Sequence, residues 1–372
     1  MTLGRQFPSV FQRVVAFSEL AHNRLRSAVR PPYSQLFLVD DGADWVLSWE
    51  MREVGRIASK IGIQVSATEY PFGIRRQALF YADQFILTQP VLFEGGNRVG
   101  VSYFHGRSLA VEPSFGACYQ ALLRHHERIQ RIQVSHSAMR DFVLESGISP
   151  DKVFLIPIGV NVSYFQVQTP ESRRQARQAY DLPQSAVVVG SFQKDGVGWG
   201  EGLQPKKIKG PHVFLKVIEL LKPHVRELFV LLSGPARGYV KAGLERLGVP
   251  YRHLYVKDYP EVGRLFQALD LYLVTSCEEG GPKAVLESMA TGVPLVTTRV
   301  GQAIDLVRHG ENGWIAEIED AERLAELAHY VIEHRNSLDS VLGDGRQTAE
   351  ANAYEAQTSL WHEFFRGFVE FS

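Results

Sequence analysis

The chain has little of what would mark it for several common fates. Only 2 of its 372 residues are cysteine, Cys118 and Cys277. They form no CxxC or metal pattern, so a disulfide-stapled scaffold is excluded and free thiols in a reducing compartment are expected. Charge of one sign is missing too. The 40 basic residues face 41 acidic ones, a net charge of −1, which removes the basic field a nucleic-acid binder carries. No apolar run approaches the ~20 residues needed to span a bilayer. The N-terminus lacks a compact apolar segment with a cleavage site, so no secretion signal is expected. Internal repeats and low-complexity tracts are absent. What remains is ordinary, with 45% hydrophobic and 22% charged residues and room for about two domains. A cytoplasmic enzyme is the expectation.

Strand-like and helix-like segments alternate along the chain. Strands are expected at Leu36–Val39, Ile63–Thr68, Asp83–Leu87, Arg98–Tyr103, Ile129–Val134 and Lys152–Ile156, with helices at Glu50–Ile61, Phe115–Arg128 and Ser137–Glu145, the last N-capped by Ser135. Residues 166–184 are polar, with prolines at 170 and 183, and read as a link. The alternation resumes with Ala186–Gly190, Pro211–Leu221, Leu228–Leu232, Arg237–Leu247, His253–Val256 and Val262–Ala268, and runs to Ala321–His334. This is the pattern of an α/β protein with two doubly wound parallel sheets. The expected domains are residues 1–165 with 355–372, and residues 166–354. Residues 6–29 read as an amphipathic helix, with Phe7, Phe11, Val14, Leu25 and Val29 on its apolar face and Glu19 its only acid. That stripe suits packing on the first domain, and it also suits an anionic membrane interface.

The most informative stretch is Glu279-Gly280-Gly281-Pro282-Lys283-Ala284-Val285-Leu286-Glu287. An apolar strand at Leu269–Thr275 leads into it. A helix ending at Gly292 and a strand at Val293–Thr298 follow. Pro282 suits the first helical turn, and Gly280 and Gly281 let an anion approach the free N–H groups there. Glu279 stands at the mouth of the strand. Glu287 shares a helix face with Lys283 and Thr291. A diphosphate bearing two polyhydroxyl groups would suit such a site. The plain alternative is a surface Lys283–Glu287 pair worth a few tenths of a kcal/mol, roughly 0.2–0.5, beside a solvated Glu279.

Ser276 to Val307 resembles the Glu-x7-Glu signature of the family 4 retaining glycosyltransferases, also called glycosyl transferases group 1, which have the GT-B fold. The flanks here are Thr275-Ser276 and Gly292-Val293-Pro294-Leu295, where the family commonly has Pro-Ser and Gly-x-Pro-Val. The resemblance covers roughly residues 100 to 335. It implies two Rossmann-like domains facing a cleft, and a last helix, rich in Leu360, Trp361, Phe364, Phe365 and Phe368, that crosses back to the first. It further implies a metal-independent, retaining transfer from a nucleotide-sugar donor to a saccharide or lipid-linked acceptor, with no cofactor and no metal site. Glu287 would hold the donor ribose and Glu279 the transferred sugar. Because many such enzymes work beside membranes, peripheral contact of residues 6–29 with the inner face of the membrane is also expected.

Other residues carry the resemblance further. Lys209-Gly210 is similar to the family's Lys-Gly element, whose lysine meets the diphosphate. His105, after the strand Arg98–Tyr103, matches a family histidine beside the donor sugar. Ile156-Pro157-Ile158-Gly159-Val160-Asn161 resembles the junction segment Pro-Asn-Gly-Val-Asp, with Ile158 and Asn161 departing from it. The family's Gly-Arg at the end of the preceding strand is missing. Gly190-Ser191-Phe192-Gln193-Lys194 stands there, and Lys194 is the candidate replacement. The loop that follows holds Gly196, Gly198, Gly200 and Gly202 without a GxGxxG spacing. The pair Asp40-Asp41 ends the first strand and is assigned no metal. Catalytic candidates are therefore His105, Lys209 and Glu279, and donor-binding candidates are Lys194, Lys209, Glu279, Gly280, Gly281 and Glu287. A catalytically silent GT-B binding module and a GT-B-like sugar-nucleotide epimerase are the alternatives.

Overall fold

The computed structural model describes residues 20–21, 23–25, 29–39, 46–106, 113–256 and 258–371. Most of the expected helix over 6–29 and the Asp40-Asp41 pair lie outside them. Two apolar positions of that helix, Leu25 and Val29, are described and are 72% and 84% exposed.

The chain divides into two compact units, Met1–Pro157 with Gln357–Ser372, and Ile158–Ala356. The first holds six parallel strands, β1 (Leu36–Val39), β2 (Val65–Thr68), β3 (Ala78–Tyr81), β4 (Arg98–Ser102), β5 (Arg131–Val134) and β6 (Val153–Leu155), in the order β2-β1-β3-β4-β5-β6. Helices α1 (Val46–Lys60), α2 (Pro113–His125) and α3 (Ser137–Glu145) connect them. Parallel strands are covered on both faces and so read as continuous apolar runs. The four residues of β3 are buried in this way. The expected strand at Asp83–Leu87 is instead a 3-10 helix, Gln84–Thr88, because the Asp83 carboxylate accepts the Phe85 N–H at 2.7 Å and caps a helical turn. The N-cap of α3 is His136 rather than Ser135, its ring accepting the Met139 N–H at 3.3 Å.

The second unit repeats the plan with β7 (Val187–Phe192), β8 (Leu228–Ser233), β9 (Tyr251–Leu254), β10 (Leu271–Val274), β11 (Leu295–Thr298) and β12 (Trp314–Ala316). Their order is β12-β11-β10-β7-β8-β9, all parallel. Its helices are α4 (Pro170–Ala179), α5 (Pro211–Leu221), α6 (Gly238–Leu247), α7 (Tyr259–Phe266), α8 (Lys283–Thr291), α9 (Ala303–Leu306), α10 (Ala321–Glu333) and α11 (Asp339–Ala351). Val213, Phe214, Val217 and Ile218 of α5 share a core with Val230 and Leu232 of β8 and Leu324 and Ala328 of α10. The helix expected at Pro211–Leu221 thus stands at those residues.

The second compact unit begins at Ile158. Gln302 clamps Ile158 from both sides, accepting its N–H at 2.9 Å and donating to its carbonyl at 3.3 Å. Phe165 sits edge-on to Tyr259 and Phe266. The polar stretch read as a link contains α4. Thr169 and Ser172 form a capping box, with Pro170 in the first turn.

The last helix, α12 (Thr358–Phe365), returns to the first unit. Trp361, Phe364, Phe365 and Phe368 are fully buried. The Phe80 ring of β3 meets Trp361, Phe364 and Phe365 at 5.8, 5.1 and 6.4 Å, all edge-on. Arg131 of β5 donates to the carbonyls of Phe364 and Arg366, each at 2.7 Å. These bonds occupy carbonyls that the helix end leaves without intrahelical partners.

Candidate functional site

The strand order of the second unit reverses between β7 and β10, since β8 and β9 lie on one side and β10 to β12 on the other. In open parallel sheets the carboxyl ends of the strands at such a reversal are where ligands bind. Gln193 and Lys194 follow β7 there, and Ser276 to Glu279 follow β10.

Lys209 is brought to this place by backbone bonding. The Ile208 carbonyl accepts the N–H groups of Cys277 at 2.9 Å and Glu278 at 3.0 Å. The Thr275 hydroxyl donates to the Gly210 carbonyl at 3.0 Å, and the Gln193 amide to the Lys209 carbonyl at 3.0 Å. Only glycine fits position 210. Its φ is +59°, and a Cβ there would lie 1.8 Å from the Thr275 carbonyl oxygen. So fixed, the Lys209 ammonium reaches both carboxylate oxygens of Glu279 at 2.6 Å, and the Ser276 hydroxyl donates to Oε1 at 2.9 Å. The Lys209 side chain is 20% exposed and that of Glu279 9%, so the pair is poorly hydrated but open to a ligand. An ammonium has three N–H donors, which leaves at least one for an incoming anion.

Glu287 stands deeper. Of α8, every residue but Ala284 is buried, although Lys283, Glu287, Ser288 and Thr291 are polar. A surface Lys283–Glu287 pair is therefore excluded. The helix begins at Lys283, with Pro282 one residue earlier as the cap. The Tyr259 hydroxyl donates to Glu287 Oε1. Lys283 donates to the Tyr354 hydroxyl at 2.6 Å and lies 5.0 and 5.1 Å from the Tyr259 and Tyr354 ring centres. Burial pushes the Glu287 carboxyl above its usual range, against the pull of Lys283 and Tyr259.

Lys194 points elsewhere. Its ammonium lies 3.6 Å over the Trp199 ring. The glycine loop is not free chain. Its carbonyls at Glu201 and Gly202 accept the N–H groups of Gly238 and Tyr239 at 2.6 and 2.9 Å, capping α6. Asp195 pairs with Arg237 at 3.0 Å, both side chains fully buried. Arg237 is thus committed to Asp195 and to the Ser191 and Ser233 carbonyls at 2.6 and 2.7 Å. In the first unit, His105 follows the end of β4. Gln84 brackets it, accepting its N–H at 2.7 Å and donating to its carbonyl at 2.8 Å. Its ring stacks on Phe115 at 5.4 Å. Gln193, Ser276 and Tyr259 were not singled out in the sequence. Only the Tyr259-Pro260 helix start marks one of them.

Residues 203–348 match the family described as "Glycosyl transferases group 1". That match lies wholly within the second unit. Over 189 residues the chain is 28% identical to the D-inositol 3-phosphate glycosyltransferase of Corynebacterium urealyticum, 47% of this chain and 42% of that one. Over 203 residues it is 26% identical to the lipopolysaccharide core biosynthesis mannosyltransferase LpsB of Rhizobium meliloti, 52% of this chain and 54% of that one. The chain spans about half the length of these curated relatives. Among solved structures, sucrose-phosphate synthase from Thermosynechococcus elongatus superposes with a TM-score of 0.72 at 16% identity, covering 91% of this chain and 99% of that one. Anabaena HepE in complex with UDP and glucose gives 0.71 at 14%, covering 90% and 100%. At these identities the likeness is one of fold, and that fold is GT-B. Among the described residues, no helix is long and apolar enough to cross a membrane.

Proposed function

We propose that the protein transfers a sugar from a nucleotide diphosphate donor to a saccharide or lipid-linked acceptor, with retention of the anomeric configuration and without a catalytic metal. The observation that carries this reading is the Lys209–Glu279–Ser276 cluster at the carboxyl ends of β7 and β10, with Glu287 buried in the helix behind it. In this reading the sugar hydroxyls replace part of the Lys209 contact on Glu279. The freed ammonium then meets the diphosphate. As the bond to the sugar breaks, negative charge grows on the departing phosphate oxygen, where a fixed ammonium and the start of α8 stabilise it. Gly280 and Gly281 let the phosphates approach that helix start. Glu287 accepts the ribose hydroxyls. No protein nucleophile is assigned, and the acceptor attacks from the face the leaving group vacates.

The first test is a panel of uridine, guanosine and adenosine diphosphate sugars by thermal shift. A ligand at 100 times its Kd should stabilise the fold by about 2.7 kcal/mol. Hydrolysis or transfer of the responding donor, with product stereochemistry read by NMR and turnover maintained in chelator, completes the case. A donor that binds and is never turned over, whatever acceptor is supplied, would leave a silent binding module instead.

Two variants probe the assignment. Glu287→Ala should weaken donor binding by about 1.5–3 kcal/mol, the worth of a hydrogen bond to a charged group, with less effect on turnover at saturation. In the wild-type protein, lowering the pH should protonate Glu287 earlier than an ordinary glutamate, because its pKa is raised, so donor affinity should fall on the acid side. Calorimetry that finds the Glu287→Ala affinity unchanged removes the ribose role. Lys194→Ala separates two views of the missing arginine. If Lys194 leaves Trp199 for the diphosphate, turnover should drop about tenfold or more, roughly 1.4 kcal/mol. Full turnover would mean that Lys194 serves only the loop.

A further inference from the structure

A second group of chemically active side chains lies beside the donor cluster and has no part in the reading above. His212 is the second residue of α5, Cys277 follows β10, and Glu319 lies between β12 and α10. One ligand atom from each lies within 4.8 Å of the others. The His212 Nε2 to Glu319 Oε1 distance is 3.7 Å. Nδ1 of His212 is shielded from solvent and has no hydrogen-bond partner, and Cys277 is a free, half-buried cysteine. Among the described residues this is the one such group of three.

We propose that His212, Cys277 and Glu319 form a three-ligand site for a divalent cation of the zinc class. The donor set is the argument for the class. One sulfur, one imidazole and one carboxylate suit a borderline-soft ion, whereas magnesium and calcium take oxygen ligands. A tetrahedral zinc with bonds of about 2.0–2.3 Å is reached by drawing the three atoms together by about 1 Å. The fourth position is left to water. Binding converts the Cys277 thiol to a metal-bound thiolate and releases one proton to solvent. The three ligands come from three separate connections of one sheet, so the ion ties together the segments that carry Lys209 and Glu279. The site is independent of the sugar-transfer reading and stands whether or not the chain turns over a donor.

The experiment uses the full chain stripped with chelator and titrated with cobalt(II). A bound cobalt–thiolate gives a near-ultraviolet charge-transfer band and the visible bands of a four-coordinate ion, and both should appear and be displaced by zinc. Cys277→Ser should abolish the near-ultraviolet band. His212→Ala and Glu319→Ala should each weaken binding at least tenfold, since losing even an outer-shell partner costs about 10–100-fold. Melting curves in chelator, matching the parent, show that each variant is folded. The absence of a band in the parent at millimolar cobalt overturns the proposal. So does a band of undiminished affinity in Cys277→Ser, which would place the metal on Cys118, or in His212→Ala.

Discussion

Asp270→Ala should destabilise the second unit by about 3–5 kcal/mol, the cost of removing one partner from a buried ion pair. Asp270 precedes β10 and its side chain is 1% exposed. Arg173 meets it at 2.6 Å, Arg177 at 2.5 Å, and Arg335 also donates to it. It also accepts the Val188 N–H of β7 at 2.7 Å. Arg177 is fully buried and shares its other donors among the carbonyls of Ala268, Gln184 and Ala186 at 3.0, 2.9 and 2.9 Å. Without Asp270 the buried guanidinium has no counter-charge, and α4 keeps only its hydrogen bonds to backbone carbonyls and Gln267. Arg173 is 22% and Arg335 35% exposed, so water can serve both and their loss adds little. Urea unfolding at neutral pH measures the effect. A loss under about 1 kcal/mol, the worth of an exposed pair, would mean that the cluster is not the anchor described. Arg335→Ala is the control and should cost far less than Asp270→Ala.

Lys209→Ala should lower turnover at saturating donor by about 10² to 10³-fold, roughly 3–4 kcal/mol of barrier. The reason is the timing of the charge. The diphosphate gains its extra negative charge only as the sugar leaves, so an ammonium held there favours the transition state over the bound donor. The position is rigid, because Ile208, Gly210 and Gln193 hold the backbone on both sides. Lys209→Arg should not restore the rate. A planar fork differs in shape and reach from an ammonium. Removing Lys209 also leaves Glu279 with Ser276 and without its cation, so melting temperatures must accompany the kinetics. A variant that is folded, keeps its turnover and shows only a raised KM would reduce Lys209 to a binding residue.

Much of the fold could be read along the chain. Pro211–Leu221 and Ser137–Glu145 stand where their periodicity places them, because a helix bonds within itself and its buried face repeats at short range. Leu36–Val39 is legible for a related reason, since a strand buried on both faces is a short apolar run. Errors arose where a local device imitated another element. Asp83 turned an apolar strand-like run into a 3-10 helix by capping it. The polar, proline-flanked stretch 166–184 looked like a link because α4 spends its arginines on Asp270 rather than on solvent.

By itself the sequence determined the alternation of strands and helices, the helix start after Gly281, and the spacing that puts Glu279 before α8 and Glu287 within it. These depend on hydrogen-bond periods of a few residues. Only the tertiary structure decided the partners. Lys209 finds Glu279 across 70 positions, Asp270 gathers Arg173, Arg177 and Arg335 from 97, 93 and 65 positions away, and Gln302 clamps Ile158 across 144. Such pairs depend on which strand ends are neighbours. In the second unit that follows from the order β12-β11-β10-β7-β8-β9, in which β10 returns to lie beside β7. Nothing in the period of either strand records that return. It is set by which packing of helices on the sheet buries the most apolar surface, a sum over the whole unit.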